Sequence, residues 1–208
     1  MLTLAFPVLI FLFLKLFTTN HYDLPYYVPI RDSVSNEIVM NGVDTVFYHL
    51  DDFKLLMTSN ESVTSAQLRG KMTVVSSIQL SNADGYGKVV DELVRINKLA
   101  SSYPELVIIT LIPQRREDIL AELNNKRLFP DSWKLIPLPD SSQSEYVEQV
   151  FHLNEKGSGL QTISLNNRLS LIDASGYIRG YYNALDPEDV DRLMAEIKIL
   201  DYGKNLKE

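Results

Sequence analysis

Apolar positions along the chain predict one α/β domain from Thr45 onward. Two apolar, β-branched runs, "MTVVSSIQL" and "LVIITLIP", are typical of strands covered on both faces. A Gly-rich turn, "SNADGYG", follows the first run. The next stretch predicts a helix, because apolar residues recur at spacings of four, three and four: Val89, Leu93, Ile96 and Ala100. Strand, helix and strand in this order predict a parallel pair with a right-handed crossover.

Further patterns on either side complete the domain. Two short strands are predicted around the turn "TSNES", and a helical turn follows at Ser65–Leu68. After the second buried run come a helix ("REDILAELNNKRLF"), a strand ("WKLIPLP"), a helix ("SQSEYVEQVFHL") and a hairpin that turns at "ASG". Asp186 as N-cap and Pro187 as first helical residue begin the last helix. A βαβ half followed by a ββα half around one sheet predicts a thioredoxin-like α/β fold.

The N-terminal residues have a different character. Residues 1–17 carry a single charge, Lys15, and as a helix would span roughly 25 Å, close to the roughly 30 Å hydrocarbon core of a bilayer. They predict an uncleaved transmembrane anchor, because the alternative, a secretory signal, would need a basic n-region and an A-x-A-like cleavage site. Residues 18–42, rich in proline and tyrosine, predict a tether, and residues 43–208 predict the folded domain.

The charges near the anchor do not determine its orientation. Lys15 and Arg31 come late in or after the apolar segment, so the positive-inside rule would place the following domain in the cytoplasm. A basic N-terminal extension, absent from this reading frame, would reverse that orientation. This hypothesis can be tested by mapping the N-terminus of the native protein.

Composition narrows the chemistry that the chain can perform. Its 208 residues carry a formal charge of -7, which argues against a nucleic-acid partner, because such binding needs Lys and Arg to neutralise phosphates. The chain has no cysteine, which excludes disulfides, thiol–disulfide exchange and thiol peroxidase activity. It has no G-x-S-x-G, Walker or G-x-G-x-x-G motif. The sequence therefore predicts no enzyme activity and no catalytic residue.

Two long stretches carry a resemblance to a known family. "FYHLDDFKLLMTSNESVTSAQLRGKMTVVSSI" is similar to an opening hairpin, a "T…L+GK" helix start and a first core strand, and "LIDASGYIRGYYNALDPEDVDRLMAEIKIL" to a closing hairpin and a "P-E-D" helix. Together they resemble the Sco/SenC family of membrane-anchored copper chaperones for cytochrome c oxidase. The resemblance covers nearly the whole chain. It implies a thioredoxin-like domain on the extracytoplasmic side of a membrane, the periplasmic side in bacteria.

The resemblance also implies a copper site, which the family builds from two cysteines of a C-x-x-x-C turn and one distant histidine. Counted from Gly70–Lys71, with or without a shift of one residue, the two cysteine positions fall on Asn82 or Ala83 and on Tyr86 or Gly87. The histidine position, about eight residues before the Asp of "LID", falls on Leu165. All three ligands are absent. We therefore expect a divergent member that holds no cofactor, copper included.

The remaining histidines and methionines offer few other metal sites. His49 with Asp51 or Asp52 is disfavoured, because neighbouring residues of a strand point to opposite faces. His152 follows Glu148 by four residues, a spacing that predicts an ordinary hydrogen bond on a helix surface. The alternative that stays open is a copper carrier with unusual thioether and imidazole ligands: Met57, Met72 or His49.

We expect a membrane-tethered protein that docks to another protein, accessory to respiratory oxidase or envelope protein assembly. The expected partner is a respiratory oxidase subunit or a paralogous copper chaperone. Its docking surface is predicted around the loop Gly157–Asn167 and the turn after the first buried strand: Ser81, Asn82, Ala83, Asp84, Gly85, Tyr86 and Gly87. Asp84 is predicted as a turn residue before Gly85, and "GYG" would let a partner's backbone approach closely.

Overall fold

A computed structural model of the chain describes residue 10 and residues 23–78, 83–113, 117–138, 141–154 and 167–205. Its central sheet has five strands: β5 (Met72–Ser77), β6 (Leu106–Pro113), β7 (Trp133–Leu138), β8 (Arg168–Ile172) and β9 (Ile178–Asn183). Two short hairpins precede it: β1 (Met40–Asn41) with β2 (Asp44–Thr45), and β3 (Lys54–Leu56) with β4 (Ser62–Thr64). The described helices are α1 (Ser65–Leu68), α2 (Ala83–Lys98), α3 (Glu117–Lys126), α4 (Ser141–Val150) and α5 (Pro187–Asn205).

The strand order across the sheet is β7-β6-β5-β8-β9. Strands β5 and β6 are parallel, as the β5–α2–β6 pattern predicted, and β7 is parallel to β6. Strand β8 runs antiparallel to β5, and β9 runs antiparallel to β8. The hairpin predicted at "ASG" joins β8 to β9, with Gly176 at a φ of 89° that favours glycine. The predicted order of strands and helices is confirmed.

Each face of the sheet carries its own apolar core. Alternate residues of β5 divide between the faces, with Val74 in one core and Val75 in the other. Helices α2, α3 and α5 cover the Val74 face, and α1, α4 and the β3–β4 hairpin cover the Val75 face. Burying one such side chain contributes about 1.5 to 3 kcal/mol. Coverage on both faces explains why β6 is a nearly continuous apolar run.

Local capping signals locate the last helix. Asp186 caps α5, because its Oδ1 accepts a hydrogen bond from the Glu188 N–H at 3.1 Å and its carbonyl accepts one from Val190 N–H at 3.0 Å. Pro187 is the first helical residue, as predicted. The apolar stripe that follows packs into the Val74 face: Val190, Leu193, Met194 and Ile197.

The described part of the predicted tether contains strand pairing. Met40 on β1 lies opposite Thr45 on β2, and isolated bridges join Arg31 to Ile38 and Pro29 to Phe47. This corrects the expectation of a segment without strands, which rested on the absence of alternation. The pairs form instead through turn geometry, with Gly42 at a φ of 67°. The domain boundaries at residues 17 and 42 stay a prediction.

Among the described residues, every helix is too short or too polar to cross a bilayer. The predicted anchor, residues 1–17, lies outside the described residues except for residue 10.

Candidate docking site

The strand register brings two chain segments to the same end of the sheet. Strands β5 and β8 are antiparallel, with Ser76 opposite Leu169, so the chain leaves β5 at the end where it enters β8. Strands β6 and β7 also finish at this end. The predicted docking turn follows β5, and the loop Gly157–Asn167 leads into β8. The two segments therefore attach to one end of the sheet.

Helix α2 begins within the predicted docking turn. Residues Ala83 to Gly87 form its first turns, which corrects the expectation of a Gly-rich turn with Asp84 as a turn residue. Two glycines lower helix propensity by about 1 kcal/mol each, yet the helix forms because its apolar face packs into the core. Ser81, Asn82 and Leu165 lie outside the described residues.

Tyr86, one of the two candidates for the second cysteine position, turns toward the core. Its ring packs against the apolar core of the Val74 face. Its hydroxyl oxygen is buried without a hydrogen bond of good geometry to any described residue. Burial, and next the nearby carboxylate of Glu122 on α3, raise the pKa of the Tyr86 phenol. The phenol is therefore neutral at physiological pH and fills space beneath the start of α2.

Gly87 and Lys88 are accessible residues near the start of this helix. A Cβ added to Gly87 would meet no heavy atom within 4 Å outside its own helix, so packing does not require glycine there. Lys88 is exposed to solvent. An open glycine beside an exposed cation suits the approach of a partner's backbone or carboxylates.

A buried polar chain lies within the sheet, on the same face as α2. The Trp133 indole N–H donates to Thr110 Oγ1 at 2.9 Å, and the Thr110 and Ser76 hydroxyls lie 2.9 Å apart. These groups satisfy one another, as buried polar groups normally do. None of them is a carboxylate, imidazole or amine that could activate a hydroxyl as a nucleophile.

Sequence reasoning missed Arg168, the first residue of β8. Its side chain is buried, donates from Nη1 to the Leu153 carbonyl at 2.5 Å and lies 5.6 Å from the Tyr181 ring centroid. These contacts join the start of β8 to the residues that follow α4 and to β9. A charged residue at the start of an apolar run is a weak signal, because it is more common at exposed strand ends.

The residues of the alternative copper site are not brought together. Met72 belongs to the Val74 face and Met57 to the Val75 face, on opposite sides of the sheet. His49 pairs with Tyr177, and its Nε2 would lie 2.9 Å from a Cβ at Gly176, beside the β8–β9 turn. Among the described residues, no group of three or more His, Cys, Asp or Glu could hold a metal ion. Met57 and Met72 are therefore not placed to ligate one copper ion together.

The acids expected near the histidines have other partners. The Asp52 carboxylate accepts from Ser65 Oγ at 2.8 Å and pairs with Arg69 at 3.3 Å. The Glu148 carboxylate accepts from the Asn154 amide at 2.6 Å.

His152 lies beyond α4 rather than on it. At a φ of 47° it ends the helix in the left-handed region, with its N–H bonded to the Gln149 carbonyl and the next N–H to the Glu148 carbonyl. Its ring packs against the Tyr48 ring at 4.0 Å between centroids, tilted by 57°. This pair borders an open cleft of about 430 Å³ that also includes Asp51. The helical pattern through "VFHL" concealed this ending.

Comparison with known proteins establishes the fold. No family model matches the chain, and no curated protein is similar to it in sequence. Among solved structures, an SCO1/SenC family lipoprotein from Bacillus anthracis matches with a TM-score of 0.59 at 15% identity, over 74% of this chain and 95% of its own. BsSco, a member of the Sco family of cytochrome c oxidase assembly proteins, matches with a TM-score of 0.57 at 15% identity, over 73% and 92%.

A third match is Bradyrhizobium japonicum ScoI with copper bound, with a TM-score of 0.52 at 15% identity, over 74% of this chain and 99% of its own. Thioredoxin-family proteins also match. The predicted thioredoxin-like fold is confirmed, and Sco/SenC proteins are among the structures that share it, as the sequence resemblance implied.

Proposed function

We propose that this chain is a divergent, cysteine-free Sco/SenC protein that acts by docking to another protein in respiratory oxidase assembly. One observation carries the proposal. A thioredoxin-like sheet brings the segments after β5 and before β8 to one end, while the sequence has neither thiol nor histidine at the corresponding ligand positions. Tyr86, one of the two candidates for the second cysteine position, packs inward, and Gly87 and Lys88 remain accessible.

The proposed protein has no catalytic activity of its own. Thiol–disulfide exchange and peroxide reduction need a sulfur nucleophile, which the sequence lacks. The polar groups in the sheet near α2 bond to one another and include no general base. The proposed role of this end of the sheet is therefore to bind a partner protein rather than to catalyse a reaction.

The proposed location is a membrane, with residues 1–17 as a single-pass anchor and the domain on the extracytoplasmic side. Support comes from the apolar sequence of that segment and from the layout that the Sco/SenC resemblance implies. Protease added to inverted vesicles, which expose the cytoplasmic face, should leave the domain intact. Protease added to spheroplasts, which expose the extracytoplasmic face, should digest it. The reverse pattern would contradict this orientation.

The docking proposal predicts that Lys88 contributes to binding of the partner. The partner is a respiratory oxidase subunit or a paralogous copper chaperone. We expect Lys88→Glu in the full-length chain to abolish co-purification of such a partner from membranes. Lys98→Glu is the matched control, because Lys98 is an exposed lysine at the other end of the same helix. Equal co-purification by both variants would contradict docking at the start of α2.

A Cu(I) titration tests the alternative of a copper carrier. Because Met57, Met72 and His49 lie in separate places, we expect the full-length chain to leave Cu(I) with a competing chelator. Tight binding of one Cu(I) per chain would overturn the docking proposal in favour of copper delivery. Triple replacement of the three residues by leucine would then show whether they are the ligands.

A further inference from the structure

Arg179 fastens the segment that follows the predicted anchor. Its side chain is buried, and it pairs with Asp173 at 2.7 Å. It also donates to the carbonyl oxygens of Leu24 and Pro25, the latter at 3.1 Å, and its guanidinium lies 3.9 Å from the centre of the Tyr26 ring. Charge-assisted hydrogen bonds and ring stacking of a buried guanidinium hold these residues against the start of β9.

This attachment limits the distance between the domain and the predicted anchor. Only residues 18–23 separate Leu24 from the anchor, and fully extended they reach at most about 25 Å. A domain of this size is roughly 40 Å across. The side of the domain that carries Arg179 therefore has to face the bilayer.

An apolar surface follows in the chain segment that Arg179 holds. It consists of exposed residues from the two turns and strands that follow Leu24, and is called the hairpin surface: Tyr26, Ile30, Val34, Ile38, Met40 and Val43. Val34 is 93% exposed and Val43 is 91% exposed. Backbone hydrogen bonds from Ile30 to Val46, Val46 to Val39, and Val39 to Ile30 tie its strands together. Clustered exposed apolar residues mark an interaction surface.

The charges around the hairpin surface indicate which kind of lipid headgroup it suits. Between residues 23 and 46 the chain has one base, Arg31, and four acids: Asp23, Asp32, Glu37 and Asp44. Anionic lipids attract basic segments and repel acidic ones. A zwitterionic interface is therefore the lipid surface that suits these residues.

We propose that the hairpin surface rests on a zwitterionic bilayer interface and thereby points the α2 end of the sheet away from the membrane. The inference rests on the membrane anchor of the proposed function. The sheet supplies the direction, because Arg179 and Asp173 adjoin the β8–β9 turn, whereas the Ser76–Leu169 pair lies at the opposite end of β8. A partner would then reach the α2 end from the aqueous side.

Single cysteines can test this surface, because the natural chain has none. Val34→Cys and Val43→Cys are labelled with an environment-sensitive fluorophore in the full-length chain, reconstituted into phosphatidylcholine vesicles that contain nitroxide-labelled lipid. Lys88→Cys and Leu185→Cys are the controls, because both residues are exposed and lie at the α2 end of the sheet. We expect several-fold stronger quenching at positions 34 and 43 than at 88 and 185.

The outcomes separate this proposal from the anchor on which it rests. A chain that fails to float with the vesicles overturns the anchor, and the surface proposal with it. A chain that floats but is quenched equally at all four positions overturns the hairpin surface alone. Energy transfer between labelled copies at position 34, without lipid quenching, would assign the surface to a second copy. Stronger quenching when half the lipid is phosphatidylglycerol would overturn the zwitterionic assignment.

Discussion

The ring of Tyr182 lies directly over Gly180, two residues earlier on the edge strand β9. A Cβ at Gly180 would come within 2.6 Å of Tyr182 Cζ, a distance that real Cβ contacts do not show. The ring cannot easily move away, because the Arg192 guanidinium lies 4.3 Å from its centre and the hydroxyl donates to Glu196 at 2.5 Å. Glycine in this strand therefore serves a close contact rather than flexibility.

We expect Gly180→Ala to destabilise the domain by about 1 to 3 kcal/mol, the usual cost of overpacking a core. Urea denaturation with matched m-values measures the change in the free energy of unfolding. Gly203→Ala is the control, because a Cβ at that helical position would meet nothing within 4 Å. The control should stabilise α5 by roughly 0.5 to 1 kcal/mol. An unchanged midpoint for Gly180→Ala would show that the ring moves aside.

Removal of the Tyr86 hydroxyl and removal of the Tyr182 hydroxyl should have opposite effects on stability. Tyr86 Oη is buried without a good hydrogen bond, so Tyr86→Phe removes an unsatisfied polar group and should be neutral or stabilising by up to about 1 kcal/mol. Tyr182→Phe removes the bond to the Glu196 carboxylate and should cost about 2 kcal/mol. Thermal or urea unfolding of the two variants compares them directly. A larger loss for Tyr86→Phe would indicate a firm Tyr86–Glu122 hydrogen bond.

The same phenols predict an alkaline limit to stability. Burial raises the pKa of Tyr48, Tyr86 and Tyr182 above the ordinary value of 10.0, and the carboxylates of Glu122 and Glu196 add to the effect at the last two. A group whose pKa is higher in the folded state contributes its full stabilisation at pH values below its unfolded-state pKa. This stabilisation is lost as the pH rises toward its folded-state pKa. These tyrosines should therefore cost no stability up to about pH 9 and lower the free energy of unfolding above about pH 10.

Urea unfolding across this range, with tyrosine ionisation followed by absorbance, measures the alkaline effect. Tyr86→Phe with Tyr182→Phe should make the decline shallower, because both substituted residues then no longer titrate. Tyr202→Phe is the control, since Tyr202 is exposed. A decline that is equally steep in the double variant and in wild type would assign alkaline unfolding to other groups.

The sheet could be predicted because the sequence signals for its strands and helices are local. The runs that contain Val74 and Ile108 are rich in β-branched residues, and Asp186 with Pro187 marks a helix start within two residues. The contacts that the sequence could not predict are distant or depend on packing. Arg179 contacts the Leu24 carbonyl 155 positions away, a pairing that periodicity does not encode. Helix α2 includes Gly85 and Gly87 because packing of its later residues outweighs their propensity.

Loss of the Arg179 contacts should release the segment before β1. Arg179→Met keeps an apolar stem but leaves the buried Asp173 carboxylate without its guanidinium, which should cost about 3 to 5 kcal/mol. Limited proteolysis should then cut near Leu24 to Tyr27 faster than in wild type. Arg69→Met is the control, because its pair with Asp52 is exposed and should contribute less than about 1 kcal/mol. Equal cutting in both variants would contradict the role assigned to Arg179.

Gly87 offers a test in which stability and docking move in opposite directions. Because a Cβ there meets nothing within 4 Å, Gly87→Ala should stabilise α2 by about 0.5 to 1 kcal/mol, as Gly203→Ala should stabilise α5. If a partner's backbone approaches the start of α2, only Gly87→Ala should also lower the amount of partner that co-purifies with the full-length chain. Stability is read from urea unfolding and docking from co-purification on the same preparations. If Gly87→Ala captures as much partner as Gly203→Ala, the partner does not contact this glycine, and the docking site has to lie elsewhere on the domain.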